Sequence, residues 1–262
     1  MCNVIVVTSG KGGVGKSTVA VNLACALANG RRRILLLDMD TGLRSLDLML
    51  GIENELVFDL NDVLSGYATP EQAIFEDKRR KNLFLMPAAQ GTGSAALTPG
   101  DIRAFIDTIR ADYDYIIMDC PAGIERGFRN AVSASDRAIL VITPDYISLR
   151  SGERAYQLIC GEGIKDVDLI INRIGRRPSV STDECIHRME LNVLGFVPDD
   201  PNVSVCMSRG KPVIDSESPA GDAFERIARR LLGEDVRFKI PHDSLIHKFR
   251  THFGKESAAQ EK

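Results

Sequence analysis

Four glycines and two lysines crowd into SGKGGVGKST, Ser9 to Thr18. Gly10, Gly12, Gly13 and Gly15 let a backbone curl until its N–H groups converge, which is how a chain wraps a phosphate group. Lys16 follows the last glycine, where its charge would neutralise β- and γ-phosphate oxygens, and the Ser17 hydroxyl beside it can ligate Mg²⁺. Gly10-x4-Gly15-Lys16-Ser17 is the spacing of a phosphate-binding P-loop, with Val14 and Thr18 as its remaining members. Lys11 stands where that spacing leaves the residue free. It is either a solvated surface lysine or a group that serves a nucleotide other than the one its own loop wraps.

Three carboxylates could complete this chemistry. RILLLDMD ends in Asp38 and Asp40, and YDYIIMD ends in Asp119. Each follows a β-branched or leucine-rich run, so each would stand at the carboxyl end of a buried strand, where open α/β sheets bind ligands. Asp119 reads as the carboxylate delivered to a metal's water shell. Asp38 reads as a second holder of metal-bound water, and Asp40, further into the loop, as the group that orients the water attacking a γ-phosphate. Ordinary solvated turn acids are the alternative for the first pair. Pro121, Ala122 and Gly123 form a loop after Asp119 that could sense the γ-phosphate.

The elements that must carry these residues are legible from periodicity. Apolar runs at 3–9, 33–38, 83–87, 115–120, 138–143, 168–172 and 193–198 do not alternate and read as strands buried on both faces. Helical patterns lie between them, at 16–29 and near 98–111, 146–160 and 219–232. Strand followed by helix, repeated, predicts an α/β fold: a doubly wound, mostly parallel sheet with helices on both faces, the architecture of P-loop nucleotide hydrolases. We expect one such domain over 1–237 and a separate tail over 238–262.

The 262 residues carry a net charge of −3 and 44% hydrophobic residues, an ordinary globular composition. Near-neutral charge argues against a non-specific nucleic-acid coat, and no nucleic-acid partner is expected. No run approaches the ~20 apolar residues of a spanning helix. MCNVIVVTSG has no basic region or cleavage-like site, so no signal peptide is expected. The six cysteines never fall as Cys-x-x-Cys, which disfavours a local metal site and fits reduced cytoplasmic thiols.

The tail carries its own pattern. At about 100° per residue, Leu245, Ile246, Phe249 and Phe253 of HDSLIHKFRTHFGK share one arc, with Lys248, Arg250, His247 and His252 outside it. A helix over about 243–254 with that division either lies on a membrane surface or docks on its own core.

KGGVGKST, DMDTGLRSLDLMLG, DCPAGIE, INR, LGFVPDD and GKPVI occur in an order that resembles the deviant Walker A ParA/MinD family of ATPases, and the likeness runs over most of the chain. Several implications follow from the resemblance. The substrate is ATP with Mg²⁺. Lys11 is the signature lysine that reaches the phosphates of a facing subunit, so a homodimer forms on ATP. Asn172 and Arg173, with Pro198 and Asp199, approach adenine, although strand-end punctuation is an equal reading for them. DTGLRSLDLMLG and SPAG point to the septum-site branch of the family. That branch implies a peripheral protein on the cytoplasmic face of the inner membrane, held through the terminal helix on anionic lipid. It implies a MinC-like division inhibitor and a MinE-like activator as partners, meeting the helix that begins DYISLRSGERAYQL. A ParA-type DNA-partition ATPase and a nucleotide-gated scaffold for flagellar placement share the same engine and remain alternatives.

Overall fold

The computed structural model describes residues 2–41, 44–89, 97–121, 123–175 and 178–241. Its strands are β1 (Asn3–Thr8), β2 (Ile34–Asp38), β3 (Phe75–Glu76), β4 (Leu83–Met86), β5 (Tyr115–Asp119), β6 (Arg137–Ile142), β7 (Val167–Ile174) and β8 (Asn192–Pro198). Its helices are α1 (Lys16–Asn29), α2 (Leu46–Leu50), α3 (Leu60–Leu64), α4 (Pro70–Ala73), α5 (Pro99–Ile109), α6 (Arg126–Ser133), α7 (Tyr146–Gly161), α8 (Thr182–Met189), α9 (Pro201–Met207) and α10 (Pro219–Leu231).

The strands form one sheet in the order β3-β4-β2-β5-β1-β6-β7-β8. Every pairing is parallel except β3 with β4. The seven strand runs read from sequence are all present. β3 was not foreseen, because two residues are too few to show a period. The short helices α2, α3, α4 and α9 are absent from the sequence reading for the same reason, and so are α6 and α8, which span only about two turns each.

Side chains of β1 show why its sequence does not alternate. Val4 and Val6 join one core cluster, with Phe105 of α5, Phe128 of α6 and Leu149 of α7. Ile5 and Val7 join the other, with Leu23 of α1 and Phe224 of α10. Helices cover both faces, so successive residues along the middle of the central strands are apolar and polar ones stand only at the strand ends. β1 runs between β5 and β6, and α1 carries the chain from β1 past β5 to β2. The carboxyl end of β1 is therefore a point where the winding reverses, the place such sheets leave open for a ligand.

Candidate nucleotide-binding site

Residues 9–15 form the turn between β1 and α1. Gly13 (φ 78°) and Gly15 (φ 94°) adopt left-handed conformations that side-chain-bearing residues rarely hold. Gly10 is required for a different reason. A Cβ there would lie 1.9 Å from the Ser151 carbonyl oxygen of α7, so that helix packs directly on the loop. Gly15 caps α1 without a side-chain hydrogen bond, which leaves the first N–H groups of the helix available to an anion. Ser17 and Thr18 lie in that first turn, and the Ser9 hydroxyl steadies the loop by donating to the Lys11 carbonyl at 2.7 Å.

The two lysines differ in setting. Lys16 is buried, at 7% exposure. The Lys11 side chain is 40% exposed at the rim and pairs with Asp145 Oδ1 at 3.6 Å. Asp145 is otherwise well occupied. It caps α7 by accepting from the Ser148 N–H at 2.9 Å, and Thr143 Oγ1 donates to its other oxygen at 2.6 Å. Burial raises its pKa, but these two hydrogen bonds and Lys11 outweigh that and leave it below the ordinary carboxylate value. The sequence reading had named the helix but not this residue. An Asp just ahead of an apolar-periodic run is a capping signal, so it was available in the sequence.

Asp38 and Asp119 are neighbours in the register of β2 and β5. Both are 1% exposed. Burial lifts Asp119 to about 8; the Ser17 hydroxyl and Lys16 pull the other way, and Asp38 and Asp40 add repulsion. Neither oxygen of Asp119 accepts a hydrogen bond of good geometry. Burial likewise lifts Asp38 to about 7, against N–H groups from Asp40 (2.9 Å) and Ser45 (3.4 Å). Two buried carboxylates beside a serine hydroxyl, that of Asp119 without a hydrogen-bond partner, suit a divalent cation. No group of three or more His, Cys, Asp or Glu side chains converges among the described residues. The donor set thus fits Mg²⁺, which is held by one or two carboxylates plus substrate phosphates, and not an all-protein metal cage. Asp40 is half-buried at the mouth of this pair.

The expected base-binding residues do gather in one cleft. Gly15, Thr18, Asn172, Arg173, Pro198 and Asp199 line it. Asn172 has a further role there, because its Nδ2 donates to the Val14 carbonyl at 2.7 Å. That leaves the amide oxygen and one of its two N–H groups for a base. Arg173, the next-to-last residue of β7, takes a left-handed backbone (φ 54°) at an irregularity in the pairing with β8. Asp199 N–H donates to the Ile174 carbonyl at 3.0 Å, closing the cleft.

After Asp119 the chain enters a turn. Pro121 packs on the glycine at position 127, and Gly123 has φ 91°. Ala122 lies outside the described residues. Cys120 is buried, and burial pushes its thiol up to about 12, as befits a small core residue and not a nucleophile. Leu245, Ile246, Phe249 and Phe253 also lie outside the described residues. No helix among those described is long and apolar enough to cross a membrane.

Comparisons with known proteins agree with this geometry. A family model described as AAA domain matches residues 2–160. The septum site-determining protein MinD of Synechocystis is 40% identical over 262 aligned residues, covering 95% of this chain and 98% of that one. The Aquifex aeolicus MinC:MinD cell division complex contains a chain with TM-score 0.84 and 37% identity, matched over 90% of this chain and 98% of that one. A MinD from Pyrococcus horikoshii complexed with Mg-ADP gives TM-score 0.83 at 28% identity, over 90% and 100%.

Proposed function

The chain belongs to the MinD family of septum site-determining ATPases, and from that membership we propose that it is an ATP-driven dimer that carries a division inhibitor to the membrane. The observation that carries the reading is the placing of the two lysines. Lys16 is buried against its own phosphate loop, while Lys11 stands at the rim on an ion pair that a facing subunit's nucleotide could replace.

In the cycle we propose, the N–H groups of residues 10–17 wrap the phosphates and Lys16 offsets their charge. Ser17, Asp38 and Asp119 would hold Mg²⁺ with its bound water, and the ion would supply charge that offsets the phosphates. The Mg-ADP complex of the Pyrococcus relative supports magnesium and an adenine nucleotide as what this site takes. Asp40 orients a water in line with the γ-phosphorus. As that water attacks and the bond to the β–γ bridging oxygen breaks, negative charge grows on the leaving oxygen. Lys11 of the facing subunit leaves Asp145 and meets that charge, as an arginine finger does. Hydrolysis thereby depends on dimerisation. Pro121, Ala122 and Gly123 read the γ-phosphate.

The dimer presents two C-terminal helices to anionic lipid through Leu245, Ile246, Phe249 and Phe253. One helix binds marginally; two bind with a high effective concentration. A MinC-like inhibitor is recruited, a choice supported by the Aquifex complex, and a MinE-like activator triggers hydrolysis and release. Tyr146 and Ile147 at the exposed start of α7, 57% and 67% accessible, offer these partners an apolar foothold beside Lys11. The test is ATP turnover with vesicles of anionic lipid, with DNA and with neither. Stimulation by vesicles alone supports the reading. Stimulation by DNA alone would support partition chemistry instead, and no stimulation by either would support a nucleotide-gated scaffold.

A further inference from the structure

Between Leu232 and Pro241 the chain forms neither helix nor strand, yet residues 236–240 are held against the body. Arg230, near the end of α10, does the holding. Its Nε donates to the Val236 carbonyl at 2.9 Å and its Nη2 to the Arg237 carbonyl at 2.9 Å. Its Nη1 donates to the Leu194 carbonyl of β8 at 3.0 Å. The same guanidinium stacks 4.0 Å over the Phe238 ring. That ring in turn meets Phe196 of β8 edge-on, with centroids 5.7 Å apart. Ile240 then packs on the core. Gly195 makes the arrangement possible, since a Cβ there would lie 2.3 Å from Ile227 and push α10 off the strand. Three hydrogen bonds, a cation–π contact and an aromatic pair are more than a chain needs merely to leave a helix.

The geometry points to a clasp that fixes where the C-terminal segment departs, with Arg230 and Phe238 as positioning residues for the amphipathic stretch 243–254. This rests on reading that stretch as the membrane contact. With the clasp closed, four residues (241–244) separate the anchored Ile240 from Leu245. With it open, the free chain begins after Gly233 and is eleven residues long (234–244). The effective concentration of a tethered second helix falls roughly as the −3/2 power of tether length, so opening should weaken paired attachment about five-fold. The clasp thereby converts two independent tails into one bidentate anchor.

The full chain is compared with Phe238→Ala, Phe238→Tyr and Phe249→Glu, each with a non-hydrolysable ATP analogue. The probe is sedimentation with phosphatidylethanolamine–phosphatidylglycerol vesicles. A second readout is the rate of tryptic cleavage after Arg237 or Lys239. Phe238→Ala should need about five-fold more lipid for half-sedimentation and be cut several-fold faster, with nucleotide affinity unchanged. Phe238→Tyr, which keeps the ring, should match wild type. Arg230→Lys, which keeps the charge but loses the fork, should behave like Phe238→Ala. If Phe238→Ala sediments like wild type while Phe249→Glu does not, the clasp is overturned and the membrane reading stands. Unchanged cleavage in Phe238→Ala would overturn it as well. If Phe249→Glu itself sediments like wild type, the membrane reading falls and takes the clasp with it.

Discussion

Lys16 and Lys11 are five positions apart and should fail in different ways. Lys16 is the buried cation of the loop. Lys16→Ala should abolish ATP binding in calorimetry, because every backbone donor remains but the phosphates lose their main counter-charge. Asp40 should fail in the opposite sense. Asp40→Ala keeps the phosphate contacts and removes the group that orients water, so it should slow turnover by about 10²-fold or more and accumulate the ATP-bound dimer. Single-turnover hydrolysis followed by gel filtration would show both effects. The chemistry at this scale was largely legible, because a P-loop announces itself through residue type and spacing. What the sequence could not show is how a residue divides its hydrogen bonds. Asn172 commits one of its two amide N–H groups to Val14, a contact between residues 158 positions apart.

Among the elements, α7 touches the phosphate loop at two points. Its backbone packs on Gly10 and its cap, Asp145, holds Lys11. Replacing an Asp cap with Ala typically costs about 1 kcal/mol, so Asp145→Ala should lower the urea midpoint at neutral pH. The sign of the pH dependence follows from the depressed pKa of Asp145. Its contribution is complete above the ordinary carboxylate value of about 4 and is lost as pH falls through its lower folded value. The gap between wild type and Asp145→Ala in urea titrations should therefore be constant from neutral pH down to about 4 and close below it. A gap that grew on acidification would mean that Asp145 is not held as an anion. Long elements such as α7 and α1 were readable because several turns repeat one pattern. Short ones such as α2, and the two-residue β3, take their conformation from packing, which leaves no local period to read.

For the whole molecule, attachment to membrane should follow nucleotide state. Phe249 is near the middle of the apolar arc of 245–254, and burying such a side chain fully contributes about 1.5–3 kcal/mol. Phe249→Glu should abolish sedimentation with anionic vesicles while leaving ATP affinity unchanged. Wild-type attachment should weaken as salt rises. The division of the core between two faces was implied by the alternation of buried runs with helices, whereas the order of the strands in the sheet was not. Nor was the clasp. Arg230, Phe196 and Phe238 look unrelated in the chain and meet only because Gly195 lets α10 close on β8.

The central claim is that Lys11 acts on the nucleotide of a second subunit, and sedimentation velocity of Lys11→Ala tests it most directly. Each protein is run with ATP in an Asp40→Ala background, so that hydrolysis does not empty the site. The parent should sediment as a dimer with ATP and as a monomer with ADP. Adding Lys11→Ala should leave ATP bound and the protein monomeric. A Lys11→Ala protein that dimerises on ATP as the parent does would contradict the account.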